Sequence, residues 1–215
     1  MRETTTGKFR YGSMSRRAAM TAAALAAMAT LTGCGGSSGG TAEGDMALGA
    51  AEGAKVTVIE YASVTCHACA QWQEQVWPAF KARYVDTNKV RYIFREFPTP
   101  PADIAAAGFL IARCAGEDKY FDVVHEIMAS QDEWQRGVAP RATLVRVAKA
   151  AGLSDQQFQT CVSDEAAIRA LDARVRAGVD AGVAGTPTFL VNGTRVVDTS
   201  LPGLSAAIDA ALART

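Results

Sequence analysis

The stretch Glu60-Tyr61-Ala62-Ser63-Val64-Thr65-Cys66-His67-Ala68-Cys69 places two cysteines, separated by two residues, shortly after an apolar run. That run, Val56-Thr57-Val58-Ile59, is apolar and rich in β-branched residues, which predicts a buried strand. Residues 70–77, which follow the cysteines, have the pattern of a helix. A Cys-x-x-Cys motif between a strand and a helix is typical of thiol–disulfide redox chemistry.

The position of Cys66 at the start of the predicted helix gives a physical reason for reactivity. The first turn of a helix carries unpaired N–H groups and the positive end of the macrodipole, and both favour a thiolate over a thiol. We therefore predict a depressed pKa for Cys66, since the thiolate is the species that attacks in disulfide exchange. Cys69 lies one helical turn later on the same face, where it can close a disulfide with Cys66.

Half of a zinc site is the alternative interpretation of the Cys-x-x-Cys motif. A structural zinc site takes four nitrogen or sulfur ligands, usually with a second pair of cysteines or histidines. The chain contains two histidines, His67 and His125, and the other cysteines are not paired at short spacing. We therefore predict a redox pair, with no metal site and no organic cofactor.

The overall charge and composition indicate an ordinary globular protein. The 215 residues include 22 basic and 22 acidic side chains, so the formal net charge is zero at pH 7. This balance gives no electrostatic reason to expect nucleic acid or an anionic membrane surface as a partner. The apolar content of 49% and the charged content of 20% suit one or two domains with a sizeable core.

Residues 1–34 are predicted to be a signal peptide. The basic pair Arg16-Arg17 precedes an alanine-rich apolar run at residues 18–31, which is too short to span a bilayer. The run ends in Leu31-Thr32-Gly33-Cys34, which resembles the lipobox of bacterial lipoproteins. The resemblance implies that Cys34 is acylated, becomes the mature N-terminus and anchors the protein to a membrane of the cell envelope, on the periplasmic side. An ordinary secretory signal with a chance cysteine is the alternative.

Residues 35–54 are rich in glycine and alanine and are predicted to form a flexible linker. The folded domain is then expected at residues 55–215. A linker of this kind would let the domain sample a volume above the membrane surface.

The remaining patterns predict the order of elements in the folded domain. Residues 90–97 alternate as a second strand, and helical periodicity occupies about residues 100–182. Thr186-Pro187 opens a third strand, which Asn192-Gly193 joins to a fourth in a hairpin. A helix over residues 204–213 closes the chain. The predicted order is therefore β-α-β, a helical segment, and β-β-α.

This order resembles the thioredoxin fold, and the helical segment makes it similar to the DsbA-like branch. The resemblance rests on Cys66-x-x-Cys69 after a strand, on Gly185-Thr186-Pro187 opening a later strand, and on Glu60 before the cysteines. It implies an α/β thioredoxin fold with an inserted all-helical domain. The sequence departs from many DsbA-like motifs by having His67-Ala68 between the cysteines, where those have proline and then histidine.

The resemblance also implies roles for four residues near the motif. Cys66 would be the exposed nucleophile, and Cys69 would resolve the mixed disulfide. His67 would supply a positive charge or a hydrogen bond near Cys66. Glu60 would be the buried acid that relays protons to Cys69, unless it is a strand-end carboxylate that faces solvent.

Two further pairs acquire roles from the same resemblance. Thr186 and Pro187 would form a cis-proline loop beside the cysteines that pairs with a substrate strand, unless the proline is trans and simply starts a strand. Cys114 and Cys161, both in the helical segment, would form a structural disulfide like that of some DsbA-like relatives. Two buried free thiols are the alternative for this second pair.

The sequence therefore predicts a thiol:disulfide oxidoreductase of the cell envelope. It would oxidise cysteine pairs in exported proteins through the Cys66–Cys69 disulfide, and a membrane redox partner would reset that disulfide. A disulfide reductase or isomerase that a partner keeps reduced is one alternative. A non-catalytic substrate-binding lipoprotein on a thioredoxin scaffold is the other.

Overall fold

The structure is a computed structural model that describes residues 42–214. The predicted signal peptide with Cys34 lies outside the described residues. Five strands in the described part form one mixed sheet in the order β1-β3-β2-β4-β5. They are β1 (Met46–Gly49), β2 (Thr57–Ala62), β3 (Arg91–Glu96), β4 (Thr188–Val191) and β5 (Thr194–Val196). β2 and β3 run parallel, and the other neighbouring strands are antiparallel.

The helices lie in the three parts of the chain where the sequence predicts them: after β2, after β3 and after β5. Between β2 and β3 the chain forms α1 (His67–Gln75), α2 (Trp77–Phe80) and a π-helical turn (Lys81–Val85). Between β3 and β4 it forms α3 (Ala102–Cys114), α4 (Glu117–Ala129), α5 (Gln131–Gln135), α6 (Pro140–Ala150), α7 (Asp155–Ser163) and α8 (Glu165–Asp180). After the β4–β5 hairpin comes α9 (Leu201–Ala213). Within residues 42–214, none of these helices is both long enough and apolar enough to cross a bilayer.

β2 is the central strand, and its sequence is apolar because both of its faces are covered. Val58 faces the larger cluster of buried side chains, to which most of the helices contribute. Ile59 faces a smaller cluster on the opposite side of the sheet, where it is opposite Ile93 on one neighbour and Leu190 on the other. β2 therefore ends in the middle of the sheet, and the cysteine motif follows directly after its carboxyl end.

The folded domain begins earlier than the predicted boundary at residue 55. Residues 46–49, which the sequence analysis assigned to a linker, pair with β3 as an antiparallel strand, with Met46 opposite Phe94. Immediately before this strand, both oxygens of the Asp45 carboxylate accept hydrogen bonds from the Arg95 guanidinium, at 2.9 and 2.8 Å. Four residues are too few for a period-2 pattern to stand out among the surrounding glycines and alanines.

Local chemistry explains several of the observed helix ends. Pro78 interrupts the α1 pattern and lies in the first turn of α2, where a missing N–H costs no helical hydrogen bond. Gly116 separates α3 from α4 with φ of +94°, a backbone conformation that favours glycine. A capping box is present at the start of α7, with reciprocal hydrogen bonds between Ser154 and Gln157.

Two sets of contacts join the helical insertion together and to the sheet. Glu96, at the buried end of β3, accepts hydrogen bonds from Arg113 Nε at 2.5 Å and from Arg174 Nε at 2.6 Å. Because these arginines belong to α3 and α8, one carboxylate links the sheet to both helices. Cys114 and Cys161 form a disulfide between α3 and α7, with Cα atoms 6.1 Å apart.

Candidate active site

Cys66 and Cys69 lie where the chain leaves β2 and enters α1. Cys66 is the N-cap residue of α1, with an extended backbone (φ −82°, ψ 114°). Its Sγ accepts a hydrogen bond from the Cys69 backbone N–H at 3.1 Å. The two residues form a disulfide with Cα atoms 5.2 Å apart. Cys66 is 8% exposed and Cys69 is fully buried, so Cys66 is the sulfur that an external thiol can reach more easily.

The loop that precedes β4 lies in contact with the Cys66 sulfur. The peptide bond between Thr186 and Pro187 is cis, and the Thr186 carbonyl oxygen lies 3.6 Å from Cys66 Sγ. A hydrogen bond within the loop holds its conformation: the Thr188 hydroxyl donates to the Gly185 carbonyl oxygen at 2.7 Å. The structure therefore brings together the two sequence motifs, which lie 120 residues apart in the chain.

Glu60 is buried inside the protein, with 1% of its surface exposed, so its carboxyl group does not face solvent. Burial raises its pKa from 4.5 to about 8, and a hydrogen bond from the Tyr92 hydroxyl opposes part of that rise. Tyr92, on the neighbouring strand β3, is itself fully buried. Glu60 therefore holds its proton at neutral pH, six residues before Cys66 in the chain.

His67 is in a different environment from the other predicted residues. It is the first residue of α1, and its side chain is exposed to solvent. The exposed imidazole at this helix terminus lies outside the buried part of the site, so solvent screens its electrostatic effect on Cys66.

Two polar side chains that the sequence analysis did not single out, Ser63 and Thr65, fix the turn before Cys66. The Thr65 hydroxyl donates to the Thr99 carbonyl oxygen at 2.8 Å, and the Thr99 backbone N–H donates to Ser63 Oγ at 3.0 Å. These bonds hold the proline-rich loop after β3 against the end of β2. No local pattern marks them, because the partners are more than thirty residues apart.

Gln131 is a further residue that sequence reasoning missed. It is the first residue of α5 and is 6% exposed. Its side-chain amide nitrogen donates to the Val64 carbonyl oxygen at 2.8 Å and to the Cys66 carbonyl oxygen at 3.3 Å. A single glutamine at the start of a five-residue helix carries no sequence signal for such a role.

The site offers one kind of reactive chemistry in the described chain. Among residues 42–214, no group of three or more histidine, cysteine, aspartate or glutamate side chains is placed to hold a metal ion. The reactive group is the disulfide at the N-terminus of α1, beside a cis-proline loop, and a buried carboxylic acid lies in the strand that leads to it. This arrangement at the end of the central strand of a mixed sheet defines the thioredoxin class of proteins.

The chain belongs to the thioredoxin family. The family model described as Thioredoxin matches residues 41–210, which include the cysteine motif, the helical insertion and the cis-proline loop. A curated relative from Rickettsia bellii, named "Putative protein-disulfide oxidoreductase", is 35% identical over 172 residues, which are 79% of this chain. The matched region covers 65% of that relative, so the chain spans slightly less than two thirds of its length.

Solved structures of DsbA proteins are similar to this one. Wolbachia pipientis alpha-DsbA1 has a TM-score of 0.74 and 24% identity, covering 81% of this chain and 94% of its own. Oxidised BdbD from Bacillus subtilis has a TM-score of 0.70 and 18% identity, covering 81% of this chain and 96% of its own. At this level of identity the similarity concerns the fold, and the predicted thioredoxin fold with a DsbA-like helical insertion is confirmed.

Proposed function

We propose that this protein is a thiol:disulfide oxidoreductase that oxidises cysteine pairs in exported proteins. The observation that carries the proposal is the position of Cys66, which is 8% exposed at a helix N-terminus and has its Sγ 3.6 Å from the Thr186 carbonyl oxygen. A reactive sulfur beside an exposed backbone segment is what exchange with an extended polypeptide requires. The protein-disulfide oxidoreductase name of the Rickettsia relative supports the same chemistry.

The reaction begins when a substrate thiolate attacks Cys66 Sγ. The Cys66–Cys69 bond breaks, a mixed disulfide forms between substrate and Cys66, and Cys69 leaves with the electron pair of the broken bond. The second substrate thiolate then attacks the substrate sulfur of the mixed disulfide, which releases Cys66 as a thiolate and closes the substrate disulfide. Two electrons have then passed from the substrate to the Cys66–Cys69 pair.

Other residues of the site orient the substrate and move the proton. The Thr186 backbone pairs with the substrate strand next to Cys66, and Pro187 keeps that backbone turned outward. Glu60, protonated near neutral pH, supplies the proton that Cys69 takes up as it leaves. His67 acts on the Cys66 thiolate from the solvent side.

The N-cap position of Cys66 favours the oxidising direction. A negative charge on Cys66 exists in the reduced protein alone, so every group that stabilises the thiolate stabilises the reduced form. The Cys69 N–H at 3.1 Å and the α1 macrodipole are two such groups. A more stable reduced form makes the disulfide a stronger oxidant.

The proposal also covers the location of the protein and its partners. Cys34, at the end of the apolar run 18–31, carries a lipid that anchors the exported domain to a membrane of the cell envelope. The partners are cysteine-containing exported proteins and a membrane redox partner. That partner takes two electrons from the reduced Cys66–Cys69 pair and closes the disulfide again.

The experiment that tests this proposal measures oxidation of a reduced peptide with two cysteines by the purified protein. We expect stoichiometric oxidation of the peptide that Cys66→Ser and Cys69→Ser both abolish, because neither variant can form the Cys66–Cys69 disulfide, and a reduction potential above the roughly −270 mV of thioredoxin. Because the imidazole next to Cys66 can supply a positive charge or a hydrogen bond to the thiolate, His67→Asn should lower the potential.

The alternatives predict different results in the same assay. A thioredoxin-like potential, together with a Cys66 pKa near that of free cysteine, would indicate a reductase or isomerase. Peptide binding without any turnover that depends on Cys66 would indicate a binding protein on a thioredoxin scaffold.

A further inference from the structure

The side chain of Gln131 links the helical insertion to the backbone of the proposed nucleophile. Its amide nitrogen lies 2.8 Å from the Val64 carbonyl oxygen and 3.3 Å from the Cys66 carbonyl oxygen. Both partners are acceptors, so the NH2 end of the amide must face them and the orientation of the side chain is determined. The two acceptors lie on either side of Thr65, in the turn that leads into α1.

The Cys66 carbonyl oxygen has a second donor from within α1. It accepts the first helical hydrogen bond from the Ala70 N–H at 3.1 Å, while Gln131 approaches from the helical insertion. This carbonyl belongs to the same peptide group as the His67 N–H, which is one of the unpaired donors at the start of α1. A hydrogen bond to the carbonyl end of a peptide group polarises its N–H end, so Gln131 strengthens the positive end of α1.

We infer that Gln131 is a positioning residue for Cys66, which holds its backbone in the N-cap conformation and favours its thiolate. This inference rests on the proposed thiol–disulfide exchange and adds to it a residue of the helical insertion. Gln131 does not touch the sulfur. It acts through the Cys66 carbonyl group, which the extended N-cap backbone directs toward α5.

A purely structural role is the competing explanation, because Gln131 is 6% exposed and its loss leaves a buried carbonyl oxygen without that donor. Such a role would lower stability without changing the acidity of Cys66. The test must therefore read the Cys66 thiol itself, in addition to the stability of the fold.

The experiment uses the purified full-length protein in its reduced form. The rate of Cys66 alkylation by iodoacetamide is followed against pH, with the Cys66 peptide quantified by mass spectrometry. We expect Gln131→Met, which keeps the length of the side chain and removes its donor, to raise the Cys66 pKa by about half a unit. That shift is roughly a threefold change in the thiol ionisation constant.

The matched control is Thr143→Val in the same helical insertion. The buried Thr143 hydroxyl donates to Glu133 Oε2 at 3.1 Å, so this variant also removes a hydrogen bond of the insertion without touching the Cys66 turn. It should lower thermal stability and leave the Cys66 pKa at the wild-type value. A Gln131→Met protein that loses stability but keeps the wild-type Cys66 pKa would overturn the inference.

A second variant covers the case in which Gln131→Met does not fold. Gln131→Glu keeps the shape of the side chain and replaces the donating nitrogen by an oxygen, so we expect at least the same rise in the Cys66 pKa. An unchanged Cys66 pKa in this variant would also overturn the inference. Failure of the proposed oxidising function has a different signature, because it would appear as a wild-type Cys66 pKa near that of free cysteine.

Discussion

At the scale of single residues, Glu60 is a group whose acidity changes strongly on folding. Its pKa rises from 4.5 to about 8, because burial disfavours the carboxylate. Between these two pH values the folded protein holds a proton that the unfolded chain has released. The free energy of unfolding therefore decreases as the pH rises through this window, by up to about 1.4 kcal/mol per pH unit from this one group.

We predict that Glu60→Gln removes this contribution. The difference in free energy of unfolding between variant and wild type should shift in favour of the variant from pH 5 to pH 8, since the amide has no proton to lose. Urea unfolding at several pH values measures that difference. Glu74→Gln, at an exposed position of α1, is the control and should follow the wild-type profile. A Glu60→Gln profile parallel to the wild type would contradict the assigned pKa.

The residues of the site differ in how far the sequence could predict them. Cys66 and Cys69 are predictable because spacing within one turn of chain determines their geometry. Gln131 and Tyr92 are not, because each meets its partner only after a helix or strand from another part of the chain has packed. A tyrosine in an alternating strand carries the same pattern whether or not it faces a carboxylic acid.

At the scale of elements, the disulfide between α3 and α7 gives a prediction about stability. Cys114 and Cys161 are 47 positions apart, so the bond closes a long loop in the unfolded chain. The chain-entropy relation gives a stabilisation of roughly 4 kcal/mol for a loop of this length. We therefore predict that the double variant Cys114→Ala/Cys161→Ala unfolds at a lower urea concentration, while it still oxidises the reduced peptide.

Peptide mapping of the non-reduced protein tests the same disulfide directly. The peptides that contain Cys114 and Cys161 should be recovered as one linked species. Recovery of two alkylatable thiols from the fully oxidised protein would show that the pair is not bonded.

Element length and flanking turn signals together decided which helices and strands were predictable. The short strands β4 and β5 were predicted because Asn192-Gly193 marks the hairpin that joins them. The long helices α3, α4, α6 and α8 each contain enough turns for their apolar period to show, and they lie within the helical segment predicted over about residues 100–182. β1 has four residues and α5 has five, which is too short for either periodicity to be recognised. Both short elements are defined instead by their tertiary partners, which are β3 for the strand and the Cys66 turn for the helix.

At the scale of the whole molecule, the proposed lipid on Cys34 determines where the protein works. We predict that the wild-type protein partitions into the detergent phase of a Triton X-114 extraction of cells. Cys34→Ser should move it to the aqueous phase, because the acyl chains supply the membrane affinity. Ser37→Ala, in the same segment, is the control and should stay in the detergent phase. A wild-type protein that is already in the aqueous phase would rule out the anchor.

The early start of the folded domain then limits how far the active site can move from the membrane. Seven residues, 35–41, separate Cys34 from Ala42, whose backbone N–H already bonds to the Asp45 side chain. A fully extended chain of that length reaches about 25 Å, whereas the twenty-residue linker expected from composition would reach about 70 Å. With the anchor in place, the N-terminal end of the folded domain, just before the edge strand β1, stays within about 25 Å of the lipid-bearing residue. Exported chains would then meet Cys66 close to the membrane surface, soon after they emerge from it.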